Sequence, residues 1–164
     1  TWLQNELDGL GRSADVCFLT SRDVRAVTER TASVDGTTVR AVATTGLSNA
    51  EHIGTRLDRS GRDWGTINVA VICETALADA ALIETLAIVA QARTAAVIAK
   101  GFNLPTGIAT GTGTDCIAVA APPGETVYAG MHTALGAATG RAVYDAVHAG
   151  AAEWMATVRK TGGE

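Results

Sequence analysis

The chain is predicted to be a single α/β domain, residues 1–164, with a mixed β-sheet, at least one antiparallel hairpin and long packed helices. Three observations carry that expectation. Two alternating segments, residues 24–34 and 37–46, meet at Asp35-Gly36, a strong short-range signal for a hairpin. Residues 76–101 form an apolar run of helical length that stops at Gly101. A second helix, about 133–159, sets Leu135, Ala138, Ala142, Val143, Val147, Ala151, Trp154 and Val158 on one stripe. At 164 residues, the chain is long enough to bury a real core.

The remaining elements follow in order. Residues 2–11 suggest a short amphipathic helix ending at Gly11, and "DVCFLT", 15–20, is an apolar run of strand length. Residues 48–65 are polar and irregular, with a loop expected around Arg59–Asp63. "GTINVAVICE", 65–74, has the character of a central strand. The helix at 76–101 is apolar nearly all round, so burial on most sides is expected, with Glu84 and Arg93 as its polar interruptions. A buried charge needs a partner, so Arg93 is expected to reach a carboxylate or the site itself. A Gly/Thr loop follows, then a strand at 115–121 and a turn at Pro122-Pro123-Gly124.

Composition narrows the function. The net charge is −4 and no Lys/Arg run occurs, which disfavours nucleic acid as a partner. Aromatic residues make up only 4%, too few for a base-stacking platform. The most apolar stretch is broken by Glu84, Gln91 and Arg93, so no membrane span is expected. Cys17, Cys73 and Cys116 lie far apart with no CxxC, which gives neither a zinc pattern nor a disulfide framework. They suggest reduced thiols, mostly buried in strands, in a cytoplasmic protein.

The stretch "TGIATGTGTDCIAVAA", 106–121, is the most distinctive feature. It fails both common phosphate patterns. Cys116 stands where a third glycine of G-x-G-x-x-G would fall, the order helix–loop–strand is reversed, and no lysine lies near. What remains is a loop rich in amides and hydroxyls that delivers Asp115 to a strand edge. Such a loop can bind an anion or a developing oxyanion.

Four segments in order, "TTGLSNA" (44–50), "GTINVAV" (65–71), "TGTGTDC" (110–116) and "YAGMHTALG" (128–136), resemble the adenosylcobinamide amidohydrolase family of cobalamin salvage, over about residues 15–145. The resemblance implies hydrolysis of the aminopropanol amide of adenosylcobinamide, giving adenosylcobyric acid and a free amino alcohol. It implies a corrinoid small molecule as the partner; the sequence itself leaves open association of the chain with further copies of itself. Gln91-Ala92-Arg93 stand where the family has Glu-Ala-Lys, and Ala134 and Ala137 where it has Lys and Glu. These departures leave two alternatives open: a corrinoid-binding relative without turnover, and an amidase for another small molecule.

Amide hydrolysis needs a nucleophile, an oxyanion stabiliser and a proton for the departing amine. His132, just before a helix start and beside Gly130, is the first candidate for proton transfer, because a helix N-terminus favours the neutral imidazole. Asp115 is the second catalytic candidate, either orienting His132 or activating water; its alternative is to cap the loop through backbone amides. Thr44, Thr45, Asn49, Asn68, Thr110, Gly111, Thr112, Gly113, Thr114 and Thr133 are candidates for substrate binding. Thr112 and Thr114 are also conceivable nucleophiles, and Asn68 could equally pair with neighbouring backbone. His52 is evenly balanced between site and polar loop, whereas His148 is expected to be a surface residue. Glu74 could join Asp115, but no dense His/Asp cluster calls for a metal, and no cofactor is expected.

Overall fold

The computed structural model describes residues 1–58 and 64–161, with side chains as far as Thr157. The loop expected around Arg59–Asp63 and the side chain of Val158 lie outside the described residues. Helix α1 is Trp2–Gly9, capped at its start by the Thr1 hydroxyl, which accepts from Gln4 N–H at 3.3 Å. A 3-10 turn at Val24–Ala26 leads into β1, Thr28–Val34, which turns at Asp35-Gly36 into β2, Thr37–Thr45. Both turn residues have positive φ, 47° and 79°, the arrangement that matches the twist of a two-residue hairpin. The short strand β3, Ala50–Glu51, precedes β4, Ile67–Cys73. Helix α2 is Asp79–Lys100 and ends on Gly101 in the left-handed conformation. Three two-residue strands follow, β5 (Asn103–Leu104), β6 (Gly107–Ile108) and β7 (Gly111–Thr112), then β8, Cys116–Ala120, and helix α3, Ala134–Thr161.

Strands β1, β2, β4 and β8 form one sheet in that order, antiparallel except for the parallel pair β4–β8. The fold is therefore α/β with a mixed sheet and an antiparallel hairpin, as the sequence predicts. Antiparallel strands join through a tight turn, whereas the parallel pair needs a crossover, which α2 provides.

Alternate side chains of β2 (Val39, Ala41, Ala43) and β4 (Ile67, Val69, Val71, Cys73) are buried beneath α2 and α3. The α3 stripe from Leu135 to Trp154 meets them, and Phe102 packs edge-on against Trp154 with ring centroids 5.6 Å apart. Thr133 caps this helix: its hydroxyl accepts from Gly136 N–H at 2.9 Å and donates to Gly130 C=O at 2.8 Å.

Three expectations are corrected. Residues 15–20 form no strand; Val16 and Leu19 are exposed, and the segment crosses the sheet face opposite the helices, where Asn68 Nδ2 donates to Leu19 C=O at 2.9 Å. An apolar run becomes a strand only when a neighbour pairs with it, and none does. Helix α2 is long and apolar enough by composition to cross a membrane, yet it packs against α3 and β8 with one broad side. Its outer side exposes Ile83, Ile98 and several alanines, and exposed alanine costs little, so apolar composition overstated burial. Finally, of the three free cysteines only Cys73 is buried; Cys17 and Cys116 are exposed.

Candidate active site

The Gly/Thr loop is held by a knot of polar bonds centred on Asp115. Asp115 Oδ1 accepts from Ile67 N–H at 3.1 Å, Oδ2 accepts from Thr112 N–H at 3.0 Å, and the Thr112 hydroxyl donates to Oδ1. The third partner is Arg93 of α2, whose guanidinium closes an ion pair on Oδ2. Both side chains are mostly buried, and burial holds the Arg93 pKa below the usual arginine range. The three-residue spacing from Thr112 to Asp115 lets one side chain satisfy its own turn. Gly111 lies directly against this pair, where a Cβ would collide with Arg93 and Asp115.

The same loop is laced to its neighbours. Thr66 Oγ1 donates to Thr114 C=O at 2.7 Å, and Thr114 Oγ1 returns a bond to Gly65 C=O at 3.0 Å. Gly113 N–H donates to Asn49 C=O at 3.0 Å, and Thr110 N–H to Glu51 C=O at 2.9 Å. Strand β3 pairs with β7 beside these bonds. Amides of Thr110, Thr112 and Gly113 are thus engaged within the fold rather than offered to a ligand.

Beside this floor lies a cleft. One cavity of about 650 Å³ is lined by Leu3, Cys17, Phe18, Leu19, Thr20, Ser21, Trp64, Gly65, Thr66, Thr114 and Cys116. A recess of about 390 Å³ adds Gly46, Ser48 and Trp154, and shares Ser21, Trp64 and Gly65 with it. Segments 44–50, 65–71 and 110–116, remote in sequence, therefore converge here. Against residues 110–112 of the same loop a smaller recess of about 170 Å³ is lined by Glu51, Ile53, Arg93, Thr94, Thr110, Gly111 and Thr112. His52 adjoins it, and its Nδ1 bonds Ile108 C=O at 2.8 Å. A carbonyl partner requires the proton on Nδ1, which leaves Nε2 with the lone pair a general base needs.

The remaining candidates scatter. Thr44 and Asn68 are cross-strand partners on the sheet face crossed by residues 15–20, and Thr44 Oγ1 and Asn68 Oδ1 are buried without partners among the described residues. Thr45 points the other way, beneath Gly150 of α3. Asn49 is buried with its side chain against Gly113. Thr133 is occupied as the α3 cap. His132 is exposed and makes no hydrogen bond among the described residues.

Asp115 and His132 are not brought together. Glu84 Oε2 accepts from Ala129 N–H at 2.5 Å and so ties the approach to His132 to the first half of α2. Arg93, the partner of Asp115, lies nine residues further along, half a turn out of phase and about 13 Å along the axis. The two candidates occupy opposite flanks of α2, so a relay from Asp115 to His132 is not built. Segment 128–136 instead borders a separate groove of about 710 Å³ between α2 and α3, through Met131 and Gly136. His148 is half-buried, stacked on Tyr144 at 5.5 Å with Lys100 Nζ 3.4 Å from its Nε2.

Sequence reasoning passed over Glu51, Trp64 and the exposure of Cys17 and Cys116. The signal for Glu51 was its place next to His52 after "TTGLSNA"; for Trp64, its place before Gly65 at a strand entrance. Among the described residues, no three of His, Cys, Asp and Glu cluster closely enough to hold a metal ion.

An α/β domain with a polar loop flooring a cleft, and His52 beside that loop, offers an amide hydrolase a binding floor and a group for proton transfer. The family model for adenosylcobinamide amidohydrolase matches residues 1–159, and the chain belongs to that family. It is similar to an adenosylcobinamide amidohydrolase of Halobacterium salinarum, 38% identical over 120 residues, covering 68% of this chain and 49% of that protein. The chain thus spans about half the length of the curated relative it matches. No solved structure matches it significantly.

Proposed function

We propose that the chain hydrolyses the aminopropanol amide of adenosylcobinamide, releasing adenosylcobyric acid and the free amino alcohol. The observation that carries this is the convergence, at one cleft, of three of the four segments that relate the chain to its family. Water is the nucleophile in this account. His52, with its lone pair on Nε2, takes the proton from water and returns it to the departing amine. Glu51, lining the small recess, suits the amino alcohol as it leaves. Asp115 acts by fixing the loop. The three free thiols support a reducing compartment for the protein, consistent with the cytoplasm.

The test is incubation with adenosylcobinamide followed by mass spectrometry. Formation of the carboxylic acid together with aminopropanol is expected. Tight binding with no product would make the chain a corrinoid-binding relative, and neither binding nor product would send the activity to another amide.

A further inference from the structure

Trp64 is 70% exposed, whereas its backbone is fixed. Ser21 Oγ donates to Trp64 C=O at 2.5 Å, and the next residue, Gly65, presses against the Ser48 and Asn49 amides so closely that no Cβ would fit. A rigid mount under an exposed indole is a costly arrangement for a surface residue, since a large apolar group is left in water. Its position gives a reason: Trp64 lines both the 650 Å³ cavity and the 390 Å³ recess, at the point where they meet. The cavity has an apolar wall of Leu3, Phe18 and Leu19 and a polar wall of Thr66, Thr114 and Cys116. Such a two-sided cleft fits a ligand with a flat apolar body and a rim of hydrogen-bonding groups. Indole is well suited to hold such a body, because it offers large area at low entropic cost and stacks on conjugated rings.

We propose that Trp64 is the stacking platform for a flat conjugated ring of the ligand, with α1 and residues 17–19 forming the wall that encloses it. The inference rests on the proposed function and adds which part of this chain grips the substrate. Two rings of adenosylcobinamide have this chemistry, the corrin macrocycle and the adenine, and the ligands used below separate them.

The experiment measures dissociation constants by calorimetry for adenosylcobinamide and for dicyanocobinamide, which lacks the adenosyl group. The proteins are the wild type, Trp64→Ala, Trp64→Phe and Ala95→Trp, each checked for folding by circular dichroism. Ala95 is exposed in the α2–α3 groove, so the added indole blocks that groove and leaves the cleft alone. Trp64→Ala is expected to weaken binding at least tenfold, Trp64→Phe to recover most of it, and Ala95→Trp to match wild type. Weakening for both ligands places the corrin on Trp64; weakening for the adenosyl form alone places the adenine there. Wild-type affinity in folded Trp64→Ala, or loss of binding in Ala95→Trp alone, overturns the inference. A wild-type protein that binds neither corrinoid overturns the proposed function itself.

Discussion

Arg93 and Asp115 form a mostly buried ion pair that pins the Gly/Thr loop to the middle of α2. Its geometry makes the loop dependent on a helix that never lines the main cleft. Removing the cation leaves a carboxylate buried with only its hydrogen bonds to Thr112 and Ile67. Breaking such a pair typically costs about 3–5 kcal/mol. Arg93→Met is therefore expected to lower stability by roughly that amount, and Arg93→Met/Asp115→Asn by less, because no lone charge remains. Urea denaturation of both variants is the check; a double variant less stable than the single would refute the pairing.

Gly111→Ala tests the same knot from the backbone side. A methyl group there meets Arg93 and Asp115, and both must shift. Overpacking of this kind costs about 1–3 kcal/mol, and the expected result is a loop displaced from β3 with turnover reduced alongside stability. Wild-type melting and turnover in this variant would show that the loop has more room than its contacts indicate.

The two imidazoles should separate cleanly. His52→Ala is expected to reduce turnover by about 10²–10⁴-fold, the usual contribution of a positioned acid–base group. His132→Ala, with no partner among the described residues and on the far flank of α2, is expected to stay within about threefold of wild type. The reverse ranking, measured under single-turnover conditions, would move the proton transfer to the α2–α3 groove.

Thiol chemistry offers a probe of the fold that needs no substrate. Burial pushes the Cys73 thiol above its usual range, so at pH 8 it is protonated as well as inaccessible. Cys17 and Cys116 are expected to react rapidly with a disulfide reagent, and Cys73 only as the chain unfolds. Because Cys73 holds its proton more tightly when folded, its contribution is complete below the ordinary thiol pKa of about 8.5 and is lost as pH rises through the elevated value. Three equally fast thiols in the native protein would contradict the burial of β4.

Much of the fold was legible because its signals are local. Asp35-Gly36 sits between its two strands, Gly101 stops α2, and the α3 stripe keeps a helical period from Leu135 to Trp154. Residues 15–20 misled because strand character in a sequence says nothing of a pairing partner, and here the segment crosses the sheet face with no strand beside it to pair with. The need for an anion opposite Arg93 was also legible, since a charge amid an apolar helix cannot stand alone. That Asp115 fills this need was not, because it depends on where the β4–β8 crossover returns the chain. The separation of Asp115 from His132 has the same origin: the two belong to segments entering α2's neighbourhood from opposite flanks.

The strand order β1-β2-β4-β8 leaves two edges, and each discourages another chain from adding to the sheet. β8 is five residues long and is followed, one residue on, by Pro122 and Pro123, which have no amide hydrogen to offer an incoming strand. On the far side, β1 carries Glu29 and Arg30, both exposed, so an approaching strand would have to desolvate charge before gaining any ladder bond. An apolar, alanine-rich chain at high concentration is thereby steered away from the cross-β aggregation that open sheets otherwise invite.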